Sequence, residues 1–208
     1  MHIYNGAFVA GECRRNDVKG YPLAIPQPTC RYEDIYRELL HQCFIWCPAT
    51  VMYRKVVLES VGGFKASRKL LGAEDYELYL RIARSSPTAA HAQVVAAYRV
   101  RADSMSRDFG LMLRSSCTIL RSQRSYIKGR PVYQRACPLG LKQARKYYGP
   151  KILQKALLNF RAKHFSKQGI RKPLQVLPLF PSGLTRYIAS CLYSSIIPPR
   201  RHITDVGG

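Results

Sequence analysis

Apolar and polar positions change period along the chain. Residues 2–11, "HIYNGAFVAG", crowd β-branched and aromatic side chains together and predict a strand that closes at Gly11. The next stretch, "KGYPLAIPQP", carries three prolines and predicts an extended loop. In "YEDIYRELLHQ" the pairs Ile35/Leu39 and Tyr36/Leu40 recur at four-residue spacing, which predicts a short amphipathic helix. "FIWCPATVMYR" is apolar enough for a buried strand, with Pro48 placing a bulge or an edge within it. "KVVLESVGGF" predicts one or two helical turns stopped by Gly62-Gly63, since glycine takes the left-handed conformation of a helix C-cap.

Residues 70–84, "LLGAEDYELYLRIAR", follow. Tyr76, Tyr79, Leu80 and Ala83 mark one helical face, Leu78 and Ile82 add a second apolar strip, and the helix is expected to be mostly buried. "HAQVVAAYRV" then predicts a strand, so residues 1–108 alternate strands and helices in an α/β pattern. Beyond Asp108 the pattern is helical only. Phe109, Met112, Leu113, Ser116 and Leu120 line one side of a helix, with Arg114, Arg121, Arg124 and Lys128 opposite. Breaks at Gly129-Arg130-Pro131 and Gly149-Pro150 are expected to set off a later helix carrying Leu153, Ala156, Leu157 and Phe160, and two short apolar segments follow around Pro178 and Pro181.

Charge divides the chain at the same place. The formal net charge is +22 over 208 residues. Residues 1–108 hold 15 Lys+Arg against 11 Asp+Glu, whereas residues 109–208 hold 19 against the single acid Asp205. A basic half of this kind calls for an anionic surface, and amphipathic basic helices point to the phosphate face of a membrane through residues 109–208. Nucleic acid is not the expected partner, because no recognised binding motif accompanies the lysines and arginines.

The seven cysteines include no Cys-x-x-Cys pair, which argues against a disulfide framework or a zinc ribbon and for a reducing compartment. His41, Cys43 and Cys47 cluster, but in the apolar run "HQCFIWCPATVMY" cysteine serves as a small hydrophobe. The N-terminus lacks the features of a signal peptide, and no run approaches the roughly 20 apolar residues of a membrane span.

Glu74 and Asp75 are the residues that demand an explanation. In a first helical turn with Glu77 they complement exposed backbone amides, a purely structural role. They also stand at the mouth of a buried helix after the loop Leu71-Gly72-Ala73, a setting in which catalytic acids occur.

The order "CFIWCPATVMYRKVVLESVGGF", "LLGAEDYELYLRIAR", "VVAAYRVRADSMSRD" resembles the C-terminal half of the catalytic domain of family 2 glycosyltransferases, which have the GT-A fold. The resemblance spans roughly residues 2–108: an apolar strand leading to a basic pair and a Ser-Val-Gly-Gly-Phe helix end, a Glu-Asp helix, and a Tyr-Arg-x-x-x-x-Ser-x-Ser strand exit. It implies an α/β fold, the acceptor-side half of a GT-A-like domain in residues 1–108, followed by a basic all-helical tail, 109–208. The implied activity is inverting transfer of a sugar from a nucleotide-diphospho-sugar to a glycan or lipid-linked acceptor in cell-envelope polysaccharide or glycolipid synthesis, on the cytoplasmic side and peripheral at the inner membrane face. Asp75 stands where such an enzyme keeps its general base, and Glu74 would orient it or the acceptor.

Among the remaining candidates, Trp46 would stack on a sugar ring or simply fill the core, Arg54 and Lys55 would contact acceptor phosphate or form a solvated helix start, and Arg99 and Arg101 would bind phosphate oxygens or lie as surface arginines at a strand end. Arg101 occupies a place where many relatives carry histidine. The family's divalent metal, Mg or Mn, is held by an Asp-x-Asp in the nucleotide-binding half, and no Asp-x-Asp occurs in this chain. The chain alone is therefore expected to be incomplete as a transferase, with a non-catalytic remnant, or a basic protein that binds nucleic acid or a membrane surface, as the alternative.

Overall fold

The structure, a computed structural model, describes residues 5–23, 33–101 and 103–161. The expected features at residues 2–4 and 24–28, and the apolar segments around Pro178 and Pro181, lie outside these. The chain divides into two compact units, Met1–Tyr148 and Gly149–Gly208. Every element that positions the candidate site belongs to the first.

That unit is α/β. Strand β1 (Phe8–Asn16) lies between β2 (Val51–Tyr53) and β3 (Thr88–Arg99) in a small mixed sheet of order β2-β1-β3. β1 pairs antiparallel with β2, Phe8 opposite Tyr53, and parallel with β3, from Phe8 opposite Thr88 to Asn16 opposite Arg99. The first strand does not close at Gly11. It continues to Asn16, and the register against β3 shifts on either side of Glu12. Gly11 is what lets β3 bulge here, because a Cβ at this position would run into the side chains of Val95 and His91.

Helix α1 (Ile35–His41) forms where its periodicity places it. Asp34 caps it by accepting a hydrogen bond from the Arg37 amide at 2.9 Å, and Ile35, Tyr36, Leu39 and Leu40 are buried. The segment expected as a long buried strand is mostly not one. Only Val51–Tyr53 pairs, while Pro48–Thr50 forms a 3₁₀ turn closed by the Thr50 hydroxyl on the Cys47 carbonyl at 2.8 Å. Proline has no amide to give a ladder but suits the first position of a helical turn, so Phe44, Ile45 and Cys47 reach the core from irregular backbone instead.

Helix α2 (Lys55–Ser60) ends as predicted, with Gly62 and Gly63 both at positive φ, 76° and 61°. Helix α3 (Glu74–Ala83) is buried along most of its length, as expected: Leu78, Tyr79, Leu80 and Ile82 are fully enclosed, and the Tyr76 hydroxyl donates to the Leu39 carbonyl at 2.6 Å. Each enclosed aliphatic side chain contributes about 1.5–3 kcal/mol.

Beyond Asp108 the described residues are helical. Helix α4 (Phe109–Ser122) buries Leu113, Cys117, Ile119 and Leu120 within the first unit, and its Ser115 hydroxyl donates to the Leu71 carbonyl at 2.9 Å. Leu113 and Leu120 belong to the apolar face read from the sequence, and Arg121, Arg124 and Lys128 are exposed. Helix α5 (Pro131–Arg161) corrects a further expectation, since it runs unbroken through Gly149-Pro150. An internal proline removes one backbone hydrogen bond and costs about 3 kcal/mol, a penalty that a helix of 31 residues outweighs through the bonds on either side. In its first part Cys137 and Leu141 are buried, and Gly140 passes so close to the end of α1 that a Cβ there would collide with the Leu40 carbonyl oxygen. No helix among the described residues is long and apolar enough to cross a membrane.

Candidate active site

Asp75 and Glu74 open α3, whose N-cap, Ala73, offers no side-chain acceptor. Glu74 turns back on its own loop and accepts the Gly72 amide at 3.0 Å, so its carboxylate fastens the turn that leads into the helix. Asp75 accepts the Tyr76 amide at 2.7 Å. Burial pushes the Asp75 carboxyl above the usual aspartate range; the Tyr76 amide opposes this, and the neighbouring Glu74 charge adds to it. No lysine or arginine forms an ion pair with Asp75 among the described residues.

The groups around Asp75 come from several elements. Tyr79 stands one helical turn on, at the i+4 position that shares its face. Tyr53 ends β2, Cys43 lies in the irregular stretch after α1, and Tyr148 comes from α5. Burial raises the pKa of all four, that of Tyr53 to about 12, and the Asp75 charge raises each further, so all four are held in their protonated forms. Phe8 braces two of them: its ring centre lies 6.0 Å from that of Tyr53 and 5.9 Å from that of Tyr79. The two phenol oxygens approach each other, yet neither makes a well-formed hydrogen bond with a described residue, and both are buried. Asp75 thus sits in a setting of phenols and a thiol with no cation paired to it. This environment disfavours the charged carboxylate relative to water, which makes it a stronger base than a solvated aspartate.

Two residues further along the same helix the arrangement is the reverse. Glu77 is buried, but Arg81 meets it at 2.8 Å and Lys65 at 2.7 Å. Burial alone would raise the Glu77 carboxyl; hydrogen bonds from Arg81 and Lys65, with their charges, hold it below the usual glutamate range. Arg81 also donates to the Gly63 carbonyl at 2.7 Å and to the Val61 carbonyl. The Gly-Gly turn after α2 is therefore pinned to α3 by a buried ionic network.

The other candidates fall elsewhere. The Trp46 ring is covered on one face by the Arg15 guanidinium, whose carbon lies 3.5 Å from the ring centre, and is met edge-on by Tyr147 at 6.3 Å. That face is not open to a sugar in this structure. Arg54 and Lys55 start α2 directly after Tyr53. Arg54 donates to the Gly6 carbonyl and to Asn5, and Lys55 pairs with Glu59 at 3.7 Å on the surface. Arg99 pairs in the sheet with Asn16, at the end of β1 opposite Phe8 and Tyr53, about 26 Å along the strand. Arg101 forms an exposed ion pair with Asp103 at 3.3 Å. No hydrogen bond or ion pair among the described residues joins any of these to Asp75.

Tyr53, Tyr79 and Arg81 were not among the candidate site residues read from sequence, although Tyr79 was placed on the apolar face of its helix. Tyr79 was legible as the i+4 neighbour of Asp75; nothing in the sequence brings Tyr53 to it. The described residues hold no group of three or more His, Cys, Asp or Glu side chains able to bind a metal ion, His41, Cys43 and Cys47 included. Comparison with protein-family models finds no match, and comparison with curated proteins finds none either.

Proposed function

We propose that residues 1–108 form the acceptor-side half of a GT-A-like domain and that the chain takes part in inverting transfer of a sugar from a nucleotide-diphospho-sugar to an acceptor hydroxyl. Asp75 is the general base. The observation that carries this reading is a half-buried carboxyl at the head of α3 with no cation paired to it among the described residues, beside three phenols and a thiol, while its neighbour Glu77 is neutralised by two cations. An acceptor hydroxyl must lose its proton as it attacks the anomeric carbon, and a carboxylate whose affinity for protons is raised by burial takes that proton more readily than a solvated one. Glu74 holds the loop that sets the position of Asp75. A divalent metal belongs to the donor side of such an enzyme; the described residues hold no ligand set for it, and no step of the reading runs through one.

The basic surface favours a lipid-linked acceptor at an anionic membrane face. Arg121, Arg124, Lys128, Arg130, Arg135 and Lys142 are exposed, while the apolar side of α4 is spent on the core. Attraction to such a surface would be electrostatic, about 1 kcal/mol per basic residue, and would fade with salt. Co-sedimentation with anionic but not neutral vesicles, weakening as salt rises, is the expected result.

The reading of Asp75 is tested in a catalytic domain completed by fusing a nucleotide-binding half to residues 1–208. Asp75→Asn should lower kcat by ~10²–10⁴ with donor KM little changed. Near-full activity in that variant removes the assignment.

A further inference from the structure

Arg15, on β1, is a half-buried cation that the fold leaves without an acceptor. Its guanidinium carbon lies 3.5 Å from the centre of the Trp46 ring, and the side chain makes no hydrogen bond or ion pair among the described residues. Arg84 lies over Tyr126 at the same 3.5 Å, but it also donates to Gln123 at 3.4 Å. Arg81 is spent on Glu77 and two carbonyls. Burial lowers the Arg15 pKa, and Tyr147, Cys13 and Tyr98 oppose the shift. The groups around Arg15 add donors to the same place. The Trp46 indole N–H is enclosed and has no partner among the described residues. Tyr98 pairs with Arg15 across β1 and β3, on strands roughly 4.8 Å apart, so the two side chains leave the sheet on one face. Its hydroxyl meets that of Ser106 at 3.2 Å, and Ser106 meets Ser104 at 2.9 Å, all exposed.

We propose that Arg15 is an anion-binding residue whose side away from the Trp46 ring receives a phosphate group, flanked by the hydroxyls of Tyr98 and Ser106. The inference does not rest on the reading of Asp75 as the base. A guanidinium offers a fork of parallel N–H donors that matches two phosphate oxygens. The Trp46 ring, itself met edge-on by Tyr147 at 6.3 Å, is the platform that holds this fork in place before a ligand arrives, so less freedom is lost on binding. The ring blocks one face of the cation and thereby sets the direction of approach. Partial burial also strengthens the attraction relative to a fully solvated lysine or arginine. Phosphate is favoured over carboxylate because hydroxyl donors stand beside the fork, and a phosphate has oxygens left for them once the guanidinium has taken two. Such a group is carried equally by a soluble phosphate ester or by a lipid headgroup.

Trp46 is the chain's only tryptophan, so its fluorescence reports on the guanidinium above it and on no other site. The full chain is titrated with inorganic phosphate and with diphosphate, sodium chloride holding the ionic strength constant, and separately with neutral vesicles carrying a phosphomonoester lipid. A saturable change in Trp46 emission is expected. A response to the free anions alone assigns a soluble phosphate, and a response to the doped vesicles assigns a headgroup. Arg15→Gln should weaken binding about tenfold or more, the loss expected for charge-assisted hydrogen bonds. Arg14→Gln removes the same charge from the exposed neighbouring position and should weaken it less than about twofold. If Arg15→Gln fails to fold, Arg15→Lys, which keeps the charge and loses the fork, takes its place and should also bind more weakly than Arg14→Gln. No saturable response in either arm, or equal losses at positions 14 and 15, overturns the proposal. Both readouts are independent of turnover, and so of the effect of Asp75→Asn on kcat.

Discussion

Asp75 and Glu77 stand two residues apart on α3 and differ in what surrounds them more than in burial. Glu77 is 6% exposed and is met by Arg81 and Lys65; Asp75 is half-buried among phenols and a thiol and has no cation paired with it among the described residues. The first carboxyl is held below its usual range and the second is pushed above it. Burial of an acid is thus no mark of function by itself. Whether a cation accompanies it decides which way its ionisation moves, and so whether it serves the fold or is available for proton transfer.

The largest test of this contrast is Arg81→Ala. It would leave Glu77 in the core with only Lys65, whose side chain is 54% exposed, and would release the Val61 and Gly63 carbonyls. A loss of about 3 kcal/mol is expected in urea unfolding. A loss below about 1 kcal/mol would show that the network is no tighter than a surface ion pair.

Next in size is a pair of opposite pH responses. Glu77 has a folded value below its unfolded one, so its contribution is present above the ordinary glutamate range and is lost as pH falls through the folded value. Asp75 has a folded value above its unfolded one. Its burial penalty is absent below the ordinary aspartate range and grows as pH rises through the folded value. Glu77→Gln should therefore destabilise at pH about 7 and much less at pH about 3, whereas Asp75→Asn should stabilise at about 7 and lose that gain at about 3. Denaturant midpoints at the two pH values check both, and responses of the same sign would erase the distinction between the two acids.

The smallest effect belongs to Lys65→Ala. Because that side chain is half in solvent, its removal should cost less than about 1 kcal/mol, a few degrees in Tm at most, and less still at high salt. A cost matching that of Arg81→Ala would mean that the two cations share the burden equally, contrary to their exposures.

How far these contrasts were legible varies along the chain. The helices at residues 35–41, 55–60, 74–83 and 109–122 follow from apolar spacing and from the glycines after α2, because local periodicity states which face must be buried before any partner is known. The acidic start of α3 was equally plain. Tertiary structure decided the remainder. The strand through Gly11 persists because β3 bulges to meet it, the apolar run at 44–54 yields only a three-residue strand because Pro48 opens a turn, and α5 passes through Gly149-Pro150. Three acids in one helical turn look alike in sequence. Helical spacing alone puts Arg81 one turn on from Glu77, but only packing brings Lys65 to Glu77, and Tyr53, Cys43 and Tyr148 to Asp75, since an acid's ionisation depends also on groups distant in sequence that the core brings close.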